Sequence, residues 1–453
     1  MIIEDFCCWV SYMRTMKMSD YEHTLRGKPD VTIIGGGAAG MLASCVAAEY
    51  GARVLLLERN DRLGKKLRIT GKGRCNITND CPIAEVLSNI PTGGRFLHSA
   101  INGFGPIDVM AYFESLGVPL KTERGSRVFP QSDNACDVVD ALQNTMYNAD
   151  VTIKRCKARE LLVERGRIFG VKTSEGTIET STVILATGGM SYPGTGSTGD
   201  GYKMAGELGH TVTPLRGSLV PLIAEPELCA RMQGLTLKNV RISVFDGGKN
   251  PIFEDFGELL FTHFGISGPL ALSASAHMRD FTVKKYYIII DLKPGLDEKK
   301  LDLRILRDFE KYSNRDFSNS LGDLLSRMII PVIVEKSGIS PKMKPHSISR
   351  EQRLRLGGLL KSFRIDIDGP RPIEEAIITS GGIDLREVDP KTMESKLVGG
   401  LFFAGEILDA DAYTGGFNLQ IAWSTAYAAA RYASGNKECI KSVHNTNKAN
   451  TAF

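Results

Sequence analysis

The residues whose spacing most clearly predicts chemistry lie in the segment VTIIGGGAAG, where Gly35, Gly37 and Gly40 form the pattern G-x-G-x-x-G. In this pattern the first glycine makes a tight turn, the second lets the backbone approach a pyrophosphate, and the third lets helix and strand pack closely. Glu58 follows at a distance where a carboxylate can accept hydrogen bonds from ribose hydroxyls. These residues therefore predict that the chain binds a dinucleotide.

Three predicted elements position this motif. An apolar run leads directly into it and predicts a strand, and the alanine-rich run 41–50 predicts a helix that ends at Gly51. The apolar run 53–57 predicts a second strand, which ends at Glu58. A helix that begins at such a turn directs free N–H groups and the positive end of its dipole at the pyrophosphate. A glycine-rich turn in an ordinary α/β unit is the alternative, and the motif does not say which dinucleotide binds.

Composition limits the class of protein. The 453 residues are enough for two or three domains, and 42% hydrophobic and 24% charged residues are typical of a soluble globular protein. A net charge of +4 requires no polyanionic partner, and no apolar run reaches the roughly 20 residues that span a bilayer. The nine cysteines form neither C-x-x-C nor zinc-type spacing, so the sequence predicts a cytoplasmic protein without a redox-active disulfide or a metal site. Residues 1–28 are expected to form an N-terminal extension and not a signal peptide.

A polar, basic and glycine-rich segment, residues 59–79, follows Glu58. Its backbone N–H groups, together with Arg74 and Asn76, are suited to bind phosphate or the polar edge of a flat ring. A solvated loop is the alternative. Cys75 lies in the same segment, and we expect it to be packed and inert rather than reactive.

Two later apolar strands are predicted to complete the same sheet. The strand 182–187 ends at two glycines, and the strand 401–404 ends at a glycine and an acid. A Gly-Gly pair then precedes the predicted helix 419–432. A sheet built from two chain-distant parts favours FAD over a simple nicotinamide cofactor, and a helix N-terminus near the flavin stabilises the negative charge of its reduced form. A second G-x-G-x-x-G, residues 194–199, does not follow an apolar strand and is not expected to form a second nucleotide-binding fold.

The segment between these two parts has its own pattern. Residues 214–292 have mainly strand periodicity, 297–361 helical periodicity, and 363–367 and 375–379 are again predicted as strands. Residues 299–361 contain 14 Lys and Arg against 7 Asp and Glu, an excess of 14 − 7 = +7. A solvated helical face is one interpretation of this excess, and a binding patch for an acidic partner is the other.

Six sequence blocks, in order along the chain, resemble a family of bacterial NAD(P)/FAD-dependent oxidoreductases with a glutathione-reductase-type FAD domain. This family includes aminoacetone-oxidase-like and bile-acid 3-oxo-Δ4-reductase-like flavoproteins. The resemblance covers residues 30–433, but not the N-terminal extension. The blocks are IIGGGAAG, ITGKGRCNITN, ILATGGMSYPGTGSTGDGY, GELLFTHFGISGP, AIITSGGIDLREVDPKTMESK and LFFAGEILDADAYTGGFNLQIAW.

The resemblance implies an α/β fold, in which a Rossmann-like FAD-binding domain is interrupted by a β-barrel-like domain that carries a small helical insertion. The FAD-binding domain would comprise 29–213 and 383–437, and the barrel-like domain 214–296 and 362–382. The helical insertion would be 297–361, and a tail would follow at 438–453.

The resemblance also implies which residues hold the FAD. The first motif and Glu58 would hold the ADP half, the segment after Glu58 would line the pyrophosphate or flavin, and the C-terminal block would hold the ribityl and pyrimidine end. The implied residues are Gly35, Gly37, Ala39, Gly40, Glu58, Arg59, Lys66, Thr70, Gly73, Arg74, Asn76, Gly188, Gly189, Gly405, Glu406, Gly416, Phe417 and Asn418.

Catalysis requires little from the protein beyond placement, because the cofactor carries the hydride. Reduction of an activated C=C bond also requires a proton donor. His263, Tyr192 and Tyr413 have suitable groups in predicted loops. Alternatively, His263 is a packed histidine, and the tyrosines only line the wall of a pocket.

The function implied by the resemblance is that of a cytoplasmic FAD-dependent oxidoreductase acting on a small molecule. It would pass hydride from NAD(P)H, as a transient co-substrate, to an activated C=C bond of an apolar substrate such as a 3-oxo-Δ4 steroid or bile acid. One alternative is an amine or aminoketone oxidase that uses O₂. Another is a flavin-bound RNA- or partner-binding protein that uses the basic segment 299–361, although a nucleic-acid partner is not favoured.

Overall fold

The computed structural model describes residues 27–435. Most of the predicted N-terminal extension and the predicted tail, 438–453, therefore lie outside the described residues. The chain divides into two compact units, one formed by the residues up to Arg216 and from Ile378, and the other by Gly217–Ile377. The domain boundaries predicted from the sequence stay a prediction.

The described residues form both strands and helices. The strands are β1 (Val31–Ile34), β2 (Val54–Glu58), β3 (Thr78–Asn79), β4 (Leu120–Glu123), β5 (Arg127–Pro130), β6 (Thr152–Arg155), β7 (Ala158–Glu164), β8 (Arg167–Thr173), β9 (Gly176–Glu179), β10 (Val183–Leu185), β11 (Arg216–Ser218), β12 (Leu222–Ala224), β13 (Thr236–Phe245), β14 (Phe253–Thr262), β15 (Gly265–Ser267), β16 (Tyr286–Asp291), β17 (Phe363–Pro370), β18 (Ile378–Ser380) and β19 (Leu401–Phe403). The helices are Ala38–Glu49, Lys65–Ile69, Ile83–Ser88, Gly94–Gly103, Pro106–Ser115, Ala135–Asn148, Asp200–Glu207, Pro226–Ala230, Gly268–Ser275, Glu298–Lys311, Ile330–Ser337, Arg350–Lys361 and Phe417–Ala433.

The first unit contains a parallel five-stranded sheet with the order β19-β10-β1-β2-β6. Strands β1, β2 and β10 are buried along their whole length and almost entirely apolar, as expected for a parallel sheet that is covered on both faces. Leu185 of β10 pairs with Phe403 of β19, so two chain-distant strands are neighbours in this sheet. The structure confirms the predicted Rossmann-like sheet built from both ends of the chain.

The C-terminal helix Phe417–Ala433 is held by buried polar contacts as well as by apolar packing. Trp423 is fully buried, and its indole Nε1–H donates to the carbonyl O of Ile77 over 2.9 Å. Gln420, also fully buried, donates from Nε2 to the carbonyl O of Phe104 over 2.9 Å. Because these buried groups are satisfied, they fix the helix rather than destabilise it. The start of this helix is therefore held firmly against the segment that follows Asn76.

The second unit contains a closed six-stranded barrel with the order β12-β15-β14-β13-β16-β17. Side chains of β17 alternate between buried and exposed along the strand, as expected for a sheet with one face towards a core. Leu301, Ile305 and Leu356, from two of the helices between β16 and β17, belong to the same apolar cluster as the barrel interior. The predicted barrel with a helical insertion is confirmed, and the helices share the core of the barrel.

Local differences from the sequence predictions have simple causes. The segment after Glu58 contains the short helix Lys65–Ile69, which at five residues is too short to produce a helical periodicity. The strand predicted at 375–379 begins only at Ile378, because a 3₁₀ turn, Ile373–Glu375, follows Pro372. Among residues 27–435, none of the helices combines the length and the apolarity that crossing a membrane requires.

Candidate cofactor site

The glycine motif at the end of β1 needs at least two of its glycines for steric reasons. Gly35 has φ +107°, and a Cβ there would lie 2.5 Å from the carbonyl O of Ala186. A Cβ on Gly40 would collide with the carbonyl O of Gly35. Gly37 differs, since apart from its neighbours along the chain no atom of the described residues lies within 4 Å of the position its Cβ would take. The motif thus packs tightly at two glycines and leaves open space at the third.

This open space lies at the start of the helix Ala38–Glu49. Gly37 caps the helix, and no side chain satisfies the cap. A helix leaves its first N–H groups without intrahelical acceptors, and they lie at the positive end of its dipole. The N-terminus, including Ala39, is therefore a ready-made cradle for the pyrophosphate of a dinucleotide.

Glu58 at the end of β2 is buried, and its carboxylate holds the glycine loop. Oε2 accepts a hydrogen bond from Gly36 N over 2.7 Å, and Oε1 accepts one from Asn60 N over 2.7 Å. Each carboxylate oxygen has two lone pairs, so both can accept a further bond from a ribose hydroxyl. The sequence predicted only the ribose contact, which stays a prediction. The sequence motif did not predict that Glu58 also holds the glycine loop in place.

Two arginines predicted to contact the cofactor already have carboxylate partners. Arg59 donates from Nη1 to Oδ2 of Asp200 over 2.7 Å. Arg74 donates to Oδ1 of Asp133 over 2.7 Å and to Oε1 of Glu123 over 2.5 Å. These carboxylates already occupy part of each guanidinium and compensate its charge. The arginines are thus less suited to direct phosphate binding than the helix N-terminus, and their role as ligands stays a prediction.

Lys66 and Glu406, far apart in sequence, meet in one polar cluster of the first unit. Lys66 Nζ donates to Oε2 of Glu406 over 2.6 Å and to Oγ of Ser191 over 2.7 Å. Ser191 Oγ and the backbone N of Thr379 both donate to Oε1 of Glu406, over 3.0 and 2.8 Å. The structure therefore brings two predicted residues together and adds Ser191 and Thr379, which the sequence did not single out. This cluster ties three chain-distant segments together.

Close packing also explains two of the later glycines. A Cβ on Gly189 would collide with the side chain of Thr379, and a Cβ on Gly405 would lie 2.9 Å from Cβ of Ala39. Gly188 has φ +72°, in the left-handed region that favours glycine. These positions let β10 and β19 end close to the start of the first helix.

The Gly-Gly turn before the C-terminal helix approaches β3. Gly416 has φ +102°, and a Cβ there would collide with the carbonyl O of Thr78. Phe417, the first helical residue, is buried. Asn418 does not present a free amide, because its side chain pairs with the backbone N and O of Ala412 over 2.9 and 2.8 Å. If Asn418 contacts a flavin, as predicted, its backbone N–H is available for that contact and its side-chain amide is not.

Two buried side-chain oxygens near the predicted binding segments lack a partner that a dinucleotide with a flat polar ring could supply. Oδ1 of Asn76 and Oγ1 of Thr187 are buried and have no hydrogen-bond partner among residues 27–435. Such groups are costly unless a ligand or water satisfies them. Thr70 Oγ1 instead donates to the carbonyl O of Lys66 over 2.9 Å and closes the short helix, and Gly73 has φ +83° in the turn before Asn76. The orphaned acceptors and the open cradle at Gly37 fit FAD, and Thr187 is a candidate contact that the sequence missed.

The comparison with known families decides the class of this site. The family described as HI0933-like protein Rossmann domain matches residues 29–432. The chain belongs to the HI0933-like family. The identification of an FAD-dependent oxidoreductase from its six sequence blocks is thereby confirmed.

Two curated relatives of this HI0933-like protein match nearly their whole length and have different names. The chain is 30% identical to a 3-dehydro-bile acid delta(4,6)-reductase of Clostridium scindens, over 89% of this chain and 98% of the relative. It is also 30% identical to a ribosomal RNA dihydrouridine synthase of Escherichia coli, over 89% of this chain and 97% of the relative. Among solved structures, a 3-ketosteroid-delta4-(5alpha)-dehydrogenase from Rhodococcus jostii RHA1 has a TM-score of 0.48 at 15% identity, covering 89% of this chain and 97% of that one. That likeness is too distant to carry an argument about activity.

The three candidate proton donors of this HI0933-like protein do not all belong to the same compact unit. Tyr192 has φ +52° and is 38% exposed, and Tyr413 lies in the loop that Asn418 holds. Both tyrosines belong to the first unit. His263 lies in the second unit, in the turn between β14 and β15, where its ring packs edge-on against Phe264. Their catalytic role stays a prediction. Cys75 is buried, and burial raises the pKa of its thiol, so it is unsuited to act as a nucleophile.

A serine, a histidine and a carboxylate also meet in the first unit of this HI0933-like protein. His210 Nδ1 lies 3.1 Å from Oε2 of Glu387, and its Nε2 lies 2.8 Å from Oγ of Ser395. Ser395 Oγ also accepts hydrogen bonds from the backbone N of Leu397 and Val398, over 3.0 and 2.9 Å. Ser395 is buried, and its Oγ stabilises a turn by accepting these two backbone hydrogen bonds. The cluster is therefore structural and does not form a hydrolase site.

The buried His210 predicts a pH dependence of stability. Burial holds the pKa of His210 below its ordinary value, although Glu387 opposes this shift. The unfolded chain therefore binds a proton near pH 6.5 that the folded protein does not bind, and stability falls as the pH drops below that value. We expect His210→Gln to be less stable than wild type at pH 8, and the difference to narrow towards pH 5. Urea unfolding across this range tests the prediction, and a constant difference would contradict it.

Proposed function

We propose that this protein is an FAD-dependent reductase of a C=C bond conjugated with a carbonyl group, with NAD(P)H as the hydride source. The observation that supports the FAD is the open space at Gly37, where the helix Ala38–Glu49 begins without a side-chain cap. The buried oxygens of Asn76 and Thr187, which have no partner among residues 27–435, are further candidate contacts to the cofactor. Both relatives described above have names that denote the same kind of reduction. A delta(4,6)-reductase and a dihydrouridine synthase each saturate a C=C bond near a carbonyl.

The chemistry divides between the cofactor and the chain. FAD, once bound and reduced by NAD(P)H, would supply the hydride, and the conjugated carbonyl would stabilise the charge left on the substrate. The substrate gains one hydride and one proton, and NAD(P)H loses one hydride. The N-terminus of the helix Phe417–Ala433 offers N–H donors and a positive dipole end to a developing negative charge. The proton comes from a donor such as Tyr192, Tyr413 or His263, or from solvent.

The relatives offer two substrate classes. A 3-oxo-Δ4 steroid or bile acid is the class that the sequence resemblance implied, and the reductase of Clostridium scindens supports it. Uridine in RNA is the second candidate, and the relative of Escherichia coli supports it. The excess of +7 in residues 299–361 also favours RNA, because a polyanion is attracted by such a surface.

The reductive half of the reaction separates this proposal from an oxidase. We expect NADH or NADPH, mixed anaerobically with the purified FAD-bound protein, to bleach the flavin absorbance in a stopped-flow experiment. An amine or aminoketone should leave the flavin oxidised. Bleaching by an amine, with neither pyridine nucleotide effective, would rule out the reductase and favour an oxidase.

A further inference from the structure

The second unit contains an open groove in its helical insertion. Residues 314–319, the helix Ile330–Ser337 and residues 338–344 line it. Its volume of about 1460 Å³ exceeds the roughly 300–1,000 Å³ that is usual for sites of small ligands. The groove is therefore better suited to an extended ligand than to a small molecule.

The charges along this groove leave it net positive. Its two carboxylates are neutralised, since Asp316 pairs with Lys344 over 2.9 Å and Glu335 pairs with Arg231 over 2.7 Å. Arg315 and Arg327 are exposed and make no ion pair within the part of the chain that the structure describes. The groove thus presents two uncompensated guanidinium groups to solvent.

The geometry at Arg315 suits it to phosphate in particular. Its guanidinium lies over the ring of Tyr312, 4.5 Å from the centroid, which limits its rotation and holds its planar fork. A fixed guanidinium binds a phosphate through two parallel hydrogen bonds. Ser318, Asn319 and Ser340 also line the groove and supply neutral donors. An extended polyanion matches these features better than an apolar peptide does.

We propose that this groove binds the phosphate backbone of single-stranded RNA. The inference rests on the proposed function with uridine in RNA as the substrate, and it assigns the docking surface for that substrate. Arg315 and Arg327 contact phosphates, and the neutral donors of the groove complete the binding site. The groove positions the strand and does not read its sequence, since phosphate contacts carry little sequence information.

The test uses fluorescence anisotropy with a fluorescein-labelled oligouridine of about 20 nucleotides, longer than the roughly 4–16 nucleotides that a single-stranded site covers. We expect the double variant Arg315→Gln/Arg327→Gln to bind about tenfold more weakly at physiological salt. The slope of log K against log salt should also become shallower by about 1.4, for two lost contacts to a single strand. Arg350→Gln/Arg355→Gln is the matched control, because both arginines are exposed in the same insertion, lie outside the groove and remove the same charge. The control should bind within about twofold of wild type.

Three results would overturn the proposal: a wild-type protein that does not bind the RNA, a groove variant that binds like wild type, or a control that loses as much affinity as the groove variant. The same preparations are assayed for NAD(P)H-dependent flavin reduction and for saturation of the uracil ring. Groove-dependent binding without any reduction would remove the proposed function and keep the docking surface. Reduction of a conjugated substrate without groove-dependent binding would keep the proposed function and remove the docking surface.

Discussion

Gly37→Ala is expected to fold like wild type and to bind FAD roughly ten to a hundredfold more weakly. The reason is that no described atom lies within 4 Å of the position of the new Cβ, so the protein itself accepts the methyl group. A pyrophosphate in the cradle would occupy this space, and crowding of this kind costs about 1–3 kcal/mol. FAD affinity is measured by titrating the apoprotein and following the flavin fluorescence, and folding by urea denaturation of the apoprotein.

Two other glycines make this result specific. Gly103→Ala also meets no atom within 4 Å and lies outside the motif, so it should change neither folding nor FAD affinity. Gly40→Ala should destabilise the apoprotein itself, because its Cβ collides with the carbonyl O of Gly35. If Gly37→Ala retains wild-type FAD affinity, the pyrophosphate does not lie at this helix N-terminus and the cofactor site is placed wrongly.

Lys66→Met is expected to lower the free energy of unfolding by about 1–3 kcal/mol, because it leaves the carboxylate of Glu406 without its cation. The side chains of Lys66 and Glu406 are only 24% and 14% exposed, so water compensates the charge poorly. The double variant Lys66→Met/Glu406→Gln should recover part of this loss, since the unpaired charge is then absent. Urea unfolding of wild type, Lys66→Met, Glu406→Gln and the double variant gives the coupling energy.

Lys65→Met is the matched control for this cycle. Lys65 pairs with Asp61 over 2.7 Å, but the two side chains are 32% and 55% exposed. An exposed pair contributes less than about 1 kcal/mol, so the control should be close to wild type. Equal losses in Lys65→Met and Lys66→Met would contradict the view that Glu406 depends on Lys66 as a specific, partly buried partner.

The sequence predicted the parts of the fold that local pattern determines. The apolar runs before Gly35 and before Glu58, with the alanine-rich run between them, specify a strand–helix–strand unit in any context. The long β-periodic segment likewise predicted strands, because alternation reports one buried face, and the resemblance to the oxidoreductase family implied that these strands form a barrel. The short helix Lys65–Ile69 was missed because a single turn carries no periodicity.

The side-chain partners within the site could not be predicted in the same way. Ser191 and Thr379 contact Glu406 only because three segments far apart in sequence converge, and serine or threonine alone gives no signal of such a contact. The family resemblance assigned Asn418 to the flavin, and this stays a prediction, but it gave no sign that the side-chain amide pairs with the backbone of Ala412. Arg74 was assigned from its charge, which Asp133 and Glu123 compensate. Residue type indicates what a side chain can bind, and only the fold determines which partner is within reach.

The most direct test of the proposed function is the oxidative half of the reaction. The FAD-bound protein is reduced anaerobically with NADH or NADPH, freed of excess nucleotide, and mixed with a 3-oxo-Δ4 bile acid or with a uridine-containing RNA. We expect at least one of these substrates to reoxidise the flavin and to gain two hydrogen atoms, one equivalent per flavin, as measured by mass spectrometry of the product. A flavin that stays reduced with both substrates and is reoxidised only by O₂ would contradict the proposed reductase.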